Sequence, residues 1–408
     1  MGQGGRHRHL ARELAARGHK VSLIAARWTH YVSDAHDADA ALEVEDFEGF
    51  RFVRIPVPRY SGAHDKRRIF NWFLFSRRLR RVPALLNEKP DVILYSSPSP
   101  VGFLGAERLA RRSGARLVFE VRDIWPLTLI EIGGYSPGHP FIRLLQWIED
   151  RAYARSDRVV SNLRGAVEHM VGRGMDRSKF AWVPNGFSLA DVERVDPVSP
   201  SVLQRIPEGK FLVCYAGTIG AANGLINMIE AAERLRDHEE IAFVIVGKGS
   251  EEAALKQKVR DRGLRNVHFV GSVSKTQVQS VLKLMDVCFV GLRPEGLFRF
   301  GVSPNKLFDY LYAGKPIIYA IDSGDYRPVE TFAAGIQIPP GDPDALAKAV
   351  LDMQAMPPEE RERLGENGHK AGMENHEYSR LAEDLESILL GEQTSHSGEM
   401  AAPQASIP

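Results

Sequence analysis

Short apolar runs alternate with longer amphipathic stretches through the first half of the chain. The first stretch places Leu10, Leu14 and Ala15 on one helical face. Parallel strands covered by helices on both sides are apolar throughout, so each apolar run predicts a buried strand. The runs lie at residues 21–26, 91–95, 116–121 and 158–161, and helical patterns cover residues 140–155 and 165–173. The alternation predicts a doubly wound α/β domain.

The same pattern restarts in the second half. Strand-like runs lie at residues 211–216, 241–246, 266–271, 287–292 and 317–320. Four helical stretches separate them, so we predict five strands and four helices in strict alternation. This is a second doubly wound domain.

A proline-rich segment at residues 186–207 marks the linker between the two domains. We therefore expect an N-terminal domain over residues 1–190 and a C-terminal domain over residues 191–375. An acidic pair of helices follows residues 344–353 and ends at Leu390. Residues 391–408 are small and polar, which predicts a disordered tail.

A glycine loop, Gly4 and Gly5, opens the chain and could place backbone N–H groups against a phosphate or a sugar. A doubly wound domain carries such a loop after its first, central strand, whereas only residues 1–3 precede it here. We therefore expect that the first central strand is missing and that the true start codon lies upstream, because the neighbouring strands would otherwise keep unpaired backbone groups.

Composition is that of an ordinary globular protein, with 44% hydrophobic residues in 408. No run of 18 apolar residues occurs, and the N-terminus lacks the apolar core of a signal peptide, so we expect no membrane span and no export. Cys214 and Cys288 lie inside apolar runs, which is typical of reduced core side chains in a cytoplasmic protein.

Charge is unevenly distributed although the net value is only +1. Residues 1–195 hold 31 Lys and Arg against 22 Asp and Glu, and residues 196–408 hold 22 against 30. A basic first half indicates a surface that meets phosphates, whether of lipid headgroups or of nucleic acid.

The most basic segment, KRRIFNWFLFSRRLRR at residues 66–81, has seven cations and no acid. A helix of this kind can lie in a membrane interface, with aromatics inward and arginines at the headgroups. The residues that would do so are Arg67, Arg68, Trp72, Phe73, Arg77, Arg78, Arg80 and Arg81. A core-packing helix with solvated ends is the alternative, and nucleic acid is disfavoured because no RNP-like or zinc motif accompanies the segment.

Arg122 and Asp123 follow the apolar run at residues 116–121 directly, in the motif RDIWP. Parallel α/β sheets present functional groups at the carboxyl ends of their strands. Asp123 is therefore a candidate for an active-site polar role and Arg122 for a phosphate contact. The alternative is an aspartate helix cap paired with a neighbouring arginine.

Residues 291–316 combine a loop, a helix cap, a cation and a carboxylate. Ser303 is suited to cap a helix over residues 304–313 that begins at Pro304, and Gly314 is suited to end it. Lys306 and Asp309 would lie on one face, the lysine near a phosphate and the carboxylate, about 5 Å further along, near a ribose diol. An ordinary capped helix with a surface lysine is the alternative.

The chain resembles retaining glycosyltransferases of family 4 in the order of six motifs. They are RDIWP, the turn at residues 184–186, GTIG, VGKG, FVG and SPNKLFDYLYAGKP. The similarity is greatest to the subgroup of bacterial O-antigen and capsule clusters that includes N-acetylfucosaminyltransferases. The resemblance implies the GT-B fold, two Rossmann-like domains facing across a cleft, with the donor in the second domain and the acceptor in the first. It further implies that a C-terminal helix, at about residues 376–390, crosses back onto the first domain.

The resemblance also implies roles for individual residues. The catalytic candidates are Arg122, Asp123 and Lys306, and Gly4 and Gly5 would form an acceptor or phosphate loop. The donor would be bound by Gly217, Thr218, Gly220, Gly247, Lys248, Arg293, Glu295, Ser303, Asn305, Lys306 and Asp309.

Three positions depart from the family pattern. The first of the family's two acids is replaced by Gly301, with Glu295 as a candidate substitute. The loop GTIGAANG lacks the usual Arg and Lys and has Asn223 near the lysine position, so Lys306, Arg293 or Lys248 would neutralise the diphosphate. The family's histidine in the first domain is replaced by Arg122 or Asp123.

The sequence therefore leads us to expect retaining transfer of an N-acetylated sugar from a UDP-sugar to a polyprenyl-diphosphate-linked or saccharide acceptor in surface polysaccharide synthesis. We expect no cofactor and no metal, since no DxD-like aspartate pair stands at a strand end and no His/Cys ligand set occurs. The protein would be cytoplasmic, peripheral on the inner face of the plasma membrane, and would bind no nucleic acid. A UDP-sugar 2-epimerase and a sugar-nucleotide-binding pseudoenzyme are the alternatives.

Overall fold

The computed structural model describes residues 5–29, 43–62 and 65–392. The chain divides into two units. The N-terminal unit ends at Pro184 and takes the chain up again at Tyr378, and the C-terminal unit runs from Asn185 to Glu377. The tail predicted to be disordered lies outside the described residues from position 393 onward.

Two sheets and a set of surrounding helices build the N-terminal unit. Its strands are β1 (Ser22–Ala26), β2 (Glu43–Phe47), β3 (Phe50–Ile55), β4 (Val92–Ser96), β5 (Arg116–Val121), β6 (Arg158–Ser161) and β7 (Phe180–Trp182). Its first helices are α1 (Arg6–Ala16), α2 (Arg67–Arg78), α3 (Val82–Leu86), α4 (Phe103–Ser113), α5 (Leu127–Glu131), α6 (Pro140–Arg155) and α7 (Ala166–Gly172). The apolar runs predicted as strands in this half are confirmed.

Strands β4 to β7 form a parallel sheet in that order, and the other three follow the order β1-β3-β2, with β2 antiparallel. Strand β2 was not predicted, because Glu43, Glu45 and Asp46 make it too polar to stand out by periodicity. It is a half-exposed antiparallel strand, which tolerates alternating polar residues.

The C-terminal unit is a single parallel sheet covered by helices on both faces. Its strands are β8 (Phe211–Ala216), β9 (Ile241–Val246), β10 (Val267–Gly271), β11 (Val287–Gly291), β12 (Ile317–Ala320) and β13 (Gly335–Gln337), in the order β10-β9-β8-β11-β12-β13. Its helices are α8 (Leu189–Val192), α9 (Pro200–Leu203), α10 (Ile226–Arg234), α11 (Glu252–Asp261), α12 (Val278–Lys283), α13 (Asn305–Tyr312), α14 (Pro328–Thr331), α15 (Pro343–Ala355) and α16 (Pro358–His376). All five predicted strands are present. The prediction of only five was wrong, because β13 is too short to show a period.

Helix α13 is held against one face of this sheet by its apolar side. Leu307, Phe308 and Leu311 are fully buried there, and burying each such side chain stabilises the fold by about 1.5–3 kcal/mol. The Tyr310 hydroxyl accepts a hydrogen bond from the N–H of Ala216 at 2.7 Å and donates to its carbonyl at 3.1 Å. These contacts fix α13 beside the carboxyl end of β8.

The last described helix, α17 (Tyr378–Leu390), belongs to the N-terminal unit. It packs on α1, with Leu381 and Leu385 buried beside Leu10 and Leu14. None of the helices in the described ranges combines the length and apolar character needed to cross a bilayer. Cys214 and Cys288 are buried and free, as predicted for core side chains.

Candidate functional site

The loops that follow β8 and β9 lie against each other at the carboxyl edge of the C-terminal sheet. The N–H of Gly217 donates to the carbonyl of Val246 at 2.9 Å, and the N–H of Ile219 donates to that of Lys248 at 3.0 Å. Parallel α/β sheets bind ligands at this edge. The structure thus brings the predicted GTIG and VGKG motifs together.

Two glycines are required by this close approach. A Cβ on Gly247, whose φ is +140°, would lie 1.9 Å from the carbonyl oxygen of Gly217. A Cβ on Gly249 would lie 2.1 Å from the carbonyl oxygen of Ile219. Any side chain at either position would push the two loops apart.

Helix α13 begins one residue later than predicted, and Ser303 does not cap it. Its N-cap is Pro304, with no side chain bonded to the first turn. The Ser303 hydroxyl instead accepts a hydrogen bond from the backbone N–H of Asn185 at 2.9 Å. The prediction of a serine cap was therefore wrong, because the later helix start makes Pro304 the N-cap, and a residue 118 positions away donates to the Ser303 hydroxyl. Gly314, at φ +63°, follows the end of the helix as predicted.

Lys306 extends from the first turn of α13 over the glycine loop after β8. Its Nζ donates to the Asn223 side-chain oxygen and lies 5.0 Å from the centre of the Tyr215 ring. Its Cε lies 3.1 Å from where a Cβ on Gly217 would stand. Burial lowers the pKa of Lys306 to about 8, because a charged ammonium is poorly solvated there.

Asp309 has a different set of neighbours on the same helix. Burial raises the pKa of its carboxyl to about 6, with the Lys275 charge opposing that shift. Gln279 donates to its backbone carbonyl at 3.2 Å. Its carboxylate accepts no hydrogen bond from any part of the chain that the structure describes, so its oxygens are available to a ligand.

The remaining donor-site candidates are mostly at the surface. The exposed ones are Thr218, Lys248, Arg293, Glu295 and Asn305, and Gly220 is half-buried. Arg293 lies 3.3 Å from Glu251, so part of its charge is already neutralised.

Gly301, at the position of the family's first acid, is buried with φ +95°. Residues other than glycine rarely adopt that backbone. A glutamate here would therefore strain the loop before α13.

In the N-terminal unit, Arg122 and Asp123 follow β5 as predicted, and the N–H of Arg122 donates to the Ser97 hydroxyl at 2.9 Å. Asp123 lines a small cavity with Trp125 and Tyr153. The pKa of its carboxyl is raised by partial desolvation, which the Arg122 charge opposes. Asp123 does not cap α5, whose first turn has no side-chain cap, so that alternative is excluded.

A buried ion cluster at the end of β5 was missed by the sequence analysis. Glu120 is fully buried, and its carboxylate lies 2.8 Å from Arg6 Nε and 2.6 Å from His7 Nε2. Burial alone would raise the pKa of Glu120, but the His7 and Arg6 charges hold it well below its usual value. A glutamate inside the apolar run RLVFEV was the available signal. Gly5 is the N-cap of α1, and Gly4 lies outside the described residues.

The outer face of α2 differs in part from the one predicted. Phe70 and Phe73 are 60% and 42% exposed, and the exposed cations beside them include Arg77. The predicted membrane residues Arg67, Arg80 and Arg81 are also exposed. Three others turn inward: Arg68 lies over the ring of Trp72, Trp72 packs against Trp125, and Arg78 donates to the carbonyl of Pro56.

Both halves of the chain match glycosyl transferase family models. Residues 2–186 match the model of a glycosyl transferase 4-like domain, and residues 203–371 match that of glycosyl transferases group 1. An Escherichia coli (strain K12) protein named for glycosyl transfer in colanic acid biosynthesis is 31% identical over 309 residues, 74% of this chain and 75% of its own. An Escherichia coli O-antigen chain mannosyltransferase is 26% identical over 317 residues, 75% of this chain and 78% of its own.

Two solved structures share the fold. The Anabaena protein HepE in complex with UDP has a TM-score of 0.57 at 14% identity, covering 78% of this chain and 82% of its own. A sucrose-phosphate synthase from Thermosynechococcus elongatus has a TM-score of 0.71 at 18% identity, covering 95% and 93%. The chain is thus a member of the family 4 glycosyltransferases, with the GT-B fold of two Rossmann-like domains, in the subgroup that builds bacterial surface polysaccharides.

Proposed function

We propose that this glycosyltransferase transfers an N-acetylated sugar from a UDP-sugar to a polyprenyl-diphosphate-linked acceptor, with retention at the anomeric carbon. The observation that carries the proposal is the half-buried Lys306 at the uncapped N-terminus of α13, packed over the glycine loop after β8. Cation, helix N-terminus and close-packed backbone together suit a diphosphate.

Three features support diphosphate binding at α13. In the described part of the chain the N–H groups of Asn305 and Lys306 make no hydrogen bond. The Lys306 ammonium is oriented by Asn223, so it loses little side-chain entropy on meeting a phosphate. Its site is poorly hydrated, which strengthens its attraction for an anion. These groups would stabilise the departing diphosphate as the sugar becomes oxocarbenium-like.

Asp309 suits the nucleoside. It lies one turn beyond Lys306, about 5 Å along the axis, and its carboxylate has free acceptor oxygens. A ribose diol offers two donors to such a group. The UDP complexes among the structures with this fold support uridine as the nucleoside.

For the acceptor, the N-terminal unit offers Arg122 and Asp123 at the end of β5. An acceptor hydroxyl could donate to Asp123, and its diphosphate could meet Arg122, whose Nε is buried without a partner among the described residues. Retention needs no protein nucleophile in this scheme, because the acceptor oxygen bonds to the anomeric carbon on the face from which the diphosphate departs. A phosphate oxygen of the leaving group takes the acceptor's proton. No metal is required, because Lys306 and the helix N-terminus supply the positive charge.

The exposed face of α2 suits the membrane that carries such an acceptor. Two outward phenylalanines can enter the interface while Arg77 and its neighbours meet anionic headgroups. We propose that the protein lies on the inner face of the plasma membrane through this helix.

The test is a transfer assay with candidate UDP-N-acetylhexosamines, a polyprenyl-diphosphate-linked saccharide and EDTA. We expect an extended lipid product with retained anomeric configuration, formed in EDTA and reduced at least tenfold in Lys306→Met. Isomerised UDP-sugar without acceptor would identify an epimerase instead. Binding of UDP without product for any donor would identify a pseudoenzyme.

A further inference from the structure

Asn185, in the turn at residues 184–186, forms a two-point contact with the loop before α13. Its backbone N–H donates to the Ser303 hydroxyl, and its side-chain Nδ2 donates to the Ser303 carbonyl, both at 2.9 Å. We call this pair of hydrogen bonds the Asn185–Ser303 clamp. Both residues belong to the C-terminal unit.

The N-terminus of α13 is open beside the clamp. Its N-cap is Pro304, which has no side-chain acceptor, and Ser303 lies one position before that capping residue. Here the Ser303 hydroxyl is engaged by Asn185, and the first turn of α13 has no side-chain cap. The donors at that end are therefore left for a ligand.

The residues after Asn185 hold the other end of the same helix. The Phe187 ring lies 5.2 Å from that of Tyr312, the last residue of α13. The N–H of Phe187 donates to the carbonyl of His376 at 3.0 Å, which anchors the segment to α16. One short segment thus contacts both ends of α13 and sets its position along its own axis.

We propose that Asn185 is a positioning residue for the donor's diphosphate, acting through Ser303 on the N-terminus of α13. The inference rests on the proposed function, in which that helix end and Lys306 bind the diphosphate. Asn185 need not touch the donor. Its side chain fixes the Ser303 carbonyl, and with it the direction in which the free N–H groups point.

Asn185→Asp and Asn185→Ala test this, with UDP and uridine as separate probes in calorimetry. Aspartate keeps the size of asparagine, cannot donate at neutral pH and places a carboxylate against the Ser303 carbonyl. We expect UDP binding to weaken about tenfold in Asn185→Ala, the effect of losing one partly buried hydrogen bond, and more in Asn185→Asp. Uridine binding should stay within twofold of wild type, because uridine lacks the phosphates that meet the N-terminus of α13.

Asn266 provides a matched control in the same unit. It is more deeply buried than the half-buried Asn185, and its Nδ2 donates to two backbone carbonyls, those of Ala232 and Leu235, while its Oδ1 is unpaired among the described residues. Asn266→Asp should lower the melting temperature at least as much as Asn185→Asp does, yet leave the ratio of UDP to uridine affinity unchanged. A purely structural role for Asn185 would make the two variants behave alike in that ratio.

The two proposals fail differently. If wild type binds UDP no more tightly than uridine, the diphosphate site itself is refuted. If wild type prefers UDP and Asn185→Asp keeps the full preference, the clamp is refuted while the site stands. Ser303→Ala supplies a second measurement: its effect on UDP affinity should be less than additive with Asn185→Ala, and full additivity would also overturn the clamp.

Discussion

Burial shifts the pKa values of the two charged side chains of α13, Lys306 and Asp309, in opposite directions. It lowers the pKa of Lys306 to about 8 and raises that of Asp309 to about 6. Both shifts disfavour the charged form, yet both groups remain mostly charged at pH 7. Groups held charged in poorly hydrated positions are typical of binding sites, because a ligand of complementary charge or hydrogen bonding relieves the cost.

Replacing Lys306 tests the cation directly. Lys306→Met keeps the length of the side chain and removes its charge, so we expect affinity for UDP to fall roughly 30-fold, as for loss of a charge-assisted hydrogen bond. Calorimetry measures the change. Lys258→Met is the control, since Lys258 is exposed on α11 and is not among the donor-site candidates, and it should change affinity less than threefold. Equal effects of the two variants would contradict the assignment.

The same lysine predicts a pH dependence of donor binding. Because its pKa is about 8, Lys306 loses its proton as pH rises through that value. Affinity for a UDP-sugar should therefore weaken between about pH 7.5 and pH 9, and the weakening should be absent in Lys306→Met. Titrations at several pH values measure it. A flat profile in wild type would count against Lys306 as the cation.

Asp309→Asn should separate stability from binding. The folded carboxyl keeps its proton to higher pH than the unfolded one, whose pKa is about 3.8, so wild-type stability falls as pH rises from about 4 to about 6. Removing this buried charge should raise the free energy of unfolding at pH 7.5 by about 2 kcal/mol. The gain should vanish below about pH 4. Urea denaturation at both pH values measures it.

UDP affinity should fall in Asp309→Asn although the free energy of unfolding rises. An amide accepts fewer hydrogen bonds than a carboxylate, so UDP affinity should fall about tenfold in Asp309→Asn. Unchanged UDP affinity would remove Asp309 from the ribose site. Lower stability at pH 7.5 would show that its carboxylate has a protein partner.

Among the elements, α2 has two faces of different character. Its inner side holds Arg78 on a backbone carbonyl and Trp72 against Trp125. Its outer side exposes Phe70 and Phe73 between cationic ends. The core-packing and membrane-docking readings of the sequence are therefore compatible, since each applies to a different face.

The membrane proposal is tested by reversing the exposed charges in the last turn of α2 and in the turn that follows it. In the triple variant, Arg77, Arg80 and Arg81 are each replaced by glutamate. Its binding to vesicles with 30% anionic lipid should weaken at least tenfold, because each cation near the surface contributes about 1 kcal/mol. Sedimentation measures it.

Helix α4 offers the matched control. It carries three exposed arginines, Arg108, Arg111 and Arg112, without an exposed aromatic on the helix. The same reversal there changes net charge identically and should reduce vesicle binding less than threefold. Equal losses in the two triple variants would show that net charge, and not the α2 face, brings the protein to lipid.

At the scale of the whole molecule, the N-terminal unit depends on a helix from the far end of the chain. Helix α17 packs Leu385 beside Leu14 of α1, and Glu386 receives hydrogen bonds from Arg17 and His19. The unit is therefore complete only when residues more than 190 positions beyond Pro184 have been made.

Substitutions in α17 measure that dependence. Leu385→Ala, at a residue that is 1% exposed, should lower the free energy of unfolding of the N-terminal unit by about 2–4 kcal/mol. Leu390→Ala, at 51% exposure on the same helix, should change it by less than about 0.5 kcal/mol. Urea denaturation, with limited proteolysis at sites before Pro184 as the readout, measures the stability of the N-terminal unit in the two variants. Equal stability would mean that α17 is not part of that core.

Local sequence determined the strands and helices that carry most of the fold. Apolar runs such as residues 241–246 and 287–292 predicted buried strands, because a strand covered on both faces has no polar side to show. The order of glycine loops and the segment before Gly314 identified the family. Elements with weak local signals, the acidic β2 and the three-residue β13, were missed.

Tertiary structure decided the chemistry around those elements. The partners of Glu120 come from residues more than 110 positions away, and the hydroxyl of Ser303 is engaged by Asn185, 118 positions away. Periodicity reports only which face of an element is apolar. The pKa values of Lys306 and Asp309 depend on how well their side chains are hydrated. Their hydration is set by the distant segments that pack around them, and only the folded chain brings those segments together.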